Sequence, residues 1–152
     1  MHNNDDCARF TRHIDAILHK KAAAHAHSQA LQRYDQAGLQ ALHRAMVPPC
    51  LARSMWASMH RQGWSPGVEA QMRVRDVYPD DEPRKYATLT VAVATALARL
   101  TRDAALAECC RAYHASRDVY QRAVYGHARL MDELMLEAAR LDTRRRASDE
   151  AC

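Results

Sequence analysis

Nine histidines are the residues of this chain best suited to holding a metal or moving a proton. A di-metal carboxylate site inside a helical bundle takes one Glu from each of two helices and a Glu-x-x-His pair from each of the other two. No Glu-x-x-His occurs anywhere, and the first two predicted helices carry few acids beyond Asp15 and Asp35. His25 and His27 are two apart, which on a helix turns them about 200° from each other. His19 and His27 share a face, but the rise between them is about 12 Å, too far for one ion.

A better spacing is His114 with Asp118, four apart on one predicted helix, and Glu133 with Glu137, four apart on the next. If those faces met, four ligands would converge on a hard or borderline cation such as iron, manganese or zinc, with His25 as an extra ligand. A solvated surface is the competing reading of the same residues. Nucleophilic catalysis finds no support, because Gly-x-Ser-x-Gly and glycine-rich phosphate loops are missing. Cys109 falls on an apolar stripe, and Cys110 is expected to be the more exposed of the two. Adjacent cysteines without a C-x-x-C pair fit neither a zinc site nor a redox motif.

Trp56 and Trp64, with Met55 and Met59, read as core or, if exposed, as an interface. The net charge of +4 is mild and its arginines are spread among acids, so nucleic-acid binding is not expected. Arg144, Arg145 and Arg146 form the one dense basic cluster. No run approaches the roughly 18 to 20 apolar residues of a membrane helix. The cysteine usage and the lack of an apolar leader point to a cytoplasmic protein.

The elements that would position these residues are helical. Alanine is abundant, while only 4 glycines and 5 prolines punctuate 152 residues. Asp5 or Asp6 caps a first helix whose apolar face is Phe10, Ile14, Ile17 and Leu18. Small residues from Lys21 to Ala30 permit close approach of a neighbour. Tyr34 to Gly38 reads as a break, with Asp35 capping a second helix whose core face is Leu39, Leu42, Met46 and Val47. Pro48-Pro49 kinks or breaks that helix, which resumes through Leu51 and stops at Gly63.

Residues 63–85 read as an irregular segment crossing between helix pairs. Leu89, Val93, Ala96, Leu97 and Leu100 mark a third apolar helix. Asp103 caps the next, with a stripe of Leu106, Cys109, Tyr113, Tyr120 and Val124. Gly126 marks a turn before a final helix through Leu130, Leu134, Ala138 and Leu141. The expectation is one all-α domain over residues 1–152, an antiparallel four-helix bundle with frayed tails at 1–5 and 143–152.

The stretch from Thr88 to Val124, "TLTVAVATALARLTRDAALAECCRAYHASRDVYQRAV", resembles a bacterial ferritin-like family of unknown function. Asp103 opens a helix, and Leu106, Glu108, Cys109, Tyr120 and Val124 follow in that family's arrangement. "HIDAIL" and "RQGWSP" in the first half are similar in layout. Where the family's first helix carries glutamates, this chain has His25, His27 and Gln29. The resemblance implies a ferritin-like bundle. From the residues themselves the expected function is non-enzymatic, through protein contacts and without a cofactor, and the resemblance adds self-association as a homo-oligomer. Divergent metal binding and nucleic-acid association are the alternatives.

Overall fold

The computed structural model describes residues 2–61, 63–66 and 95–152. Every regular element among them is helical: α1 (His2–Arg44), α2 (Pro49–Arg61) and α3 (Ala104–Glu150), with a further helical stretch at 95–101. No helix of the described residues is long and apolar enough to cross a membrane. The expected third helix lies outside the described residues up to 94, as do residues 67–85 of the crossing segment.

Two expected breaks are absent. Tyr34 to Gly38 lies inside α1, and Gly126 lies inside α3. Asp35 does not cap a helix; its Oδ1 accepts a hydrogen bond from Trp56 Nε1 at 2.8 Å. Gly38 is a packing residue, buried against the Trp56 ring. Gly126 has open space around it, and one glycine in a 47-residue helix lowers propensity without ending it. The final turns of α3 extend to Glu150 with every residue exposed beyond Glu137.

The real break is at Pro48-Pro49. Met46 N donates to His43 O and Val47 N to Leu42 O, which closes α1 with Met46 at φ 65°. Pro49 is the first residue of α2, where its missing N–H leaves nothing unpaired. The same closure ends α2: Gly63 N donates to His60 O and Trp64 N to Met59 O, with Gly63 at φ 73°. At the start of α3 the Asp103 carboxylate accepts from Leu106 N at 3.0 Å, the expected cap.

The chain divides into two compact units, residues 28–115 and residues 1–27 with 116–152. The 28–115 unit holds a continuous core of Tyr34, Leu42, Met55, Trp56, Met59, Trp64, Leu100, Leu106 and Cys110. Met46, expected in it, is 84% exposed because the turn swings it outward. Cys110 is buried and Cys109 half-buried, the reverse of the expected order.

In the other unit, α1 pairs with α3, and contacts ascending along α1 descend along α3. Arg9 meets Glu137, His13 meets His127 and His27 meets Ser116. The inward positions of α1 recur at sevens: His13, Lys20 and His27, alternating with Ala16 and Ala23. This register overturns the expected face, since Phe10 and Leu18 are 67% and 58% exposed. Ala23 and Ala123 are the buried hydrophobic residues of this pair.

Candidate functional site

His114, Asp118, Glu133 and Glu137 do not converge. All four lie on α3, because the turn expected at Gly126 is not formed. Fifteen residues separate Asp118 from Glu133, about 22 Å of helical rise, so the two pairs cannot share an ion within one chain. Glu137 instead binds Arg9 at 2.6 Å, and Glu133 lies 3.6 Å from Arg129. His25 is exposed on α1. No group of three or more His, Cys, Asp or Glu with metal-ligand geometry occurs among the described residues.

Met55, Trp56, Met59 and Trp64 are not an exposed interface. They are at most 6% exposed and form the centre of the 28–115 core. The α2 stripe was readable as core, and burial of both tryptophans removes them from any contact surface.

What the helices do bring together is a set of aromatic and imidazole rings. Tyr34 stacks on Tyr113 with ring centres 5.5 Å apart, and meets Trp56 edge-on at 5.1 Å. His60 closes the group, 5.9 Å from both tyrosines. Burial pushes the Tyr34 phenol well above its ordinary pKa of 10, and its hydrogen bond with Cys110 adds to the shift. Tyr34 therefore keeps its proton at any physiological pH, which suits a structural phenol and not a general base.

The second unit has a comparable interior. His27 Nδ1 is 3.0 Å from Ser116 Oγ, and its ring stacks on Tyr120 at 5.7 Å. His13 stacks on His127 at 5.7 Å with the ring planes 24° apart. His13 Nδ1 and His127 Nε2 are both buried without a hydrogen-bond partner. Uncompensated burial of this kind is costly. Neither stacked pair was read from the sequence, although His13, His27 and Tyr34 on α1 and Tyr113, Tyr120 and His127 on α3 fall at multiples of seven.

On one side of the two helices of this unit, charged and apolar residues are mixed. A groove there sets Asp5, Arg9, Glu133 and Glu137 beside Leu136 and Leu141, and a smaller hollow sets His19, Arg122 and His127 beside Ala16 and Ala123. Such mixed charge holds its own ion pairs and leaves no aligned nucleophile, base and acceptor. No protein-family model, no curated protein and no solved structure matches this chain, so the ferritin-like resemblance of residues 88–124 gains no support from them.

Proposed function

We propose that this chain is a non-enzymatic helical protein that works through protein–protein contacts, with antiparallel four-helix packing as its assembled architecture. The observation that carries the reading is where apolar surface is exposed. Phe10, Ile14, Leu18, Val119, Tyr125, Met135, Leu136 and Leu141 are all large, exposed and in the unit of residues 1–27 and 116–152. The 28–115 unit shows only Met46 among its described residues.

A two-helix pair has too few inward positions to bury its own apolar residues, and stable helical folds solve this with further helices. Exposed apolar area gathered on one unit is the ordinary mark of an interface. The missing sequence motifs of nucleophilic catalysis fit the same reading.

The test is the solution mass of the full chain across micromolar concentrations, with binding of an apolar dye measured alongside. A mass above 17.2 kDa, or a monomer whose exposed surface binds dye, is expected. A strictly monomeric chain that binds no dye overturns the reading.

A further inference from the structure

Resting on that reading, we infer that one side of the α1/α3 pair, crested by Phe10, Ile14 and Met135, is the face on which a second copy of this chain docks. The geometry begins with the two sides of the pair. The groove and hollow take Asp5, His19, Glu133 and Gly126, which share one heptad position on the two helices and so mark one side, where charged residues stand among Val119, Leu136 and Leu141. The opposite side takes Phe10, Ile14 and Ile17 from α1 and Val124, Met131 and Met135 from α3. Phe10 and Met135 are 67% and 68% exposed and Ile14 is 38% exposed, while Ile17, Val124 and Met131 are half-buried at the seam. Between residues 7 and 24 of α1 and 121 and 138 of α3, Lys21 is the one charged residue at these positions.

Three properties of this face fit a second copy as its occupant. Phe10 and Ile17 begin a ridge at sevens that continues along α1 to Leu31 and Gly38, and at Gly38 the ridge receives a helix: the Trp56 ring of α2. The ridge is thus a helix-bearing surface where it is covered, and among the described residues nothing covers Phe10. Second, an apolar face with a single rim charge complements itself, which is what a two-fold interface between identical chains requires. Third, the size fits a modest, concentration-dependent contact. The apolar stretches of residues 7–24 and 121–138 run about 27 Å and two helices side by side span about 18 Å, so the face is on the order of 500 Å². Two such faces meeting bury about 1,000 Å² in all, at the small end of specific protein interfaces. Two such pairs packed face to face bury their apolar sides in a four-helix arrangement.

The test uses the full chain. Light scattering is expected to give a dimer, and amide exchange in residues 10–24 is expected to slow as concentration rises. Ile14→Glu with Met135→Glu places carboxylates in the contact and is expected to weaken dimerisation at least about 100-fold. Tyr125→Glu, on the outer surface of α3, is expected to leave the dimer intact. Circular dichroism shows whether the variants keep their helix, and the wild-type exchange measurement stands without them. A dimer that survives the paired substitution overturns the assigned face and leaves the contact-based function standing. A monomeric wild type with fast exchange at residues 10–24 overturns the second copy as occupant. If that monomer also binds no apolar dye, the proposed function falls with it.

Discussion

The indole of Trp56 lies across Gly38 so closely that a β-carbon at residue 38 would collide with its ring carbons. The same indole donates its N–H to Asp35 at 2.8 Å, so one side chain fixes α2 against α1 by both contact and hydrogen bond. Gly38→Ala is expected to destabilise the 28–115 unit by about 1–3 kcal/mol, because the ring must move and the core around it is filled. Gly126→Ala, in open space on α3, is expected to stabilise by up to about 1 kcal/mol. Chemical denaturation followed by tryptophan emission measures the first, and thermal loss of helical signal the second. Equal signs for the two substitutions would contradict this account.

Asp35→Ala removes the acceptor and leaves the Trp56 N–H in a largely buried site. A loss of about 1–3 kcal/mol is expected from the unpaired donor. Trp56→Phe in the Asp35→Ala background should cost less than in the wild type, since the N–H is already unpaired. A double-mutant cycle by denaturation reads this coupling.

Met46 closes α1 at φ 65°, a conformation that suits glycine. Its side chain is 84% exposed and contributes little packing. Met46→Gly is therefore expected to raise stability by about 1 kcal/mol. A lower melting temperature would show that the methionine side chain matters to the turn in some other way.

Asp103 caps α3 through Leu106 N and also meets Arg44, and these contacts hold its carboxyl below the ordinary value of 3.8. A depressed folded-state pKa gives stability that is complete above the unfolded pKa and is lost as pH falls through the folded one. Asp103→Ala should lose about 1 kcal/mol at neutral pH. Its deficit should shrink as the solution is acidified below about pH 4. A deficit that stays constant down to strong acid would rule out the charged cap.

Tyr34 works in the opposite direction. Its raised pKa means that the buried phenol contributes stability below pH 10, which is lost as pH rises above the unfolded value. Tyr34→Phe is expected to flatten the alkaline side of the stability curve while losing the contact with Cys110 at neutral pH. Melting temperatures of the two proteins between neutral and strongly alkaline pH compare them directly.

His13 and His127 bring two unpartnered buried nitrogens into the α1/α3 pair. Replacing both with leucine removes two unmet polar groups at once, so the double variant is expected to be as stable as the wild type or more so. A loss above about 2 kcal/mol would mean that the imidazoles make an interaction worth more than apolar packing at those positions.

Much of this protein was decided by local chemistry and could be read without coordinates. Alanine-rich composition set the helical class. The terminators Pro48-Pro49 and Gly63, and the Asp103 cap, act through backbone groups within a few residues, so they acted where they were expected. What sequence could not decide was whether Tyr34–Gly38 and Gly126 end their helices, because a glycine's local penalty is small beside tertiary packing. At Gly38 the approach of Trp56 made the glycine useful inside α1. At Gly126 the helix simply continued, and that carried His114, Asp118, Glu133 and Glu137 onto one helix and dispersed the expected metal ligands. Facing directions were also beyond reach. Phe10, Ile14 and Leu18 make an apolar stripe by spacing, yet the pairing with α3 turns His13, Ala16 and Ala23 inward, because small residues let the two backbones approach. Only the tertiary structure chooses between two stripes on one helix, since burial depends on which neighbour arrives and how closely it can pack.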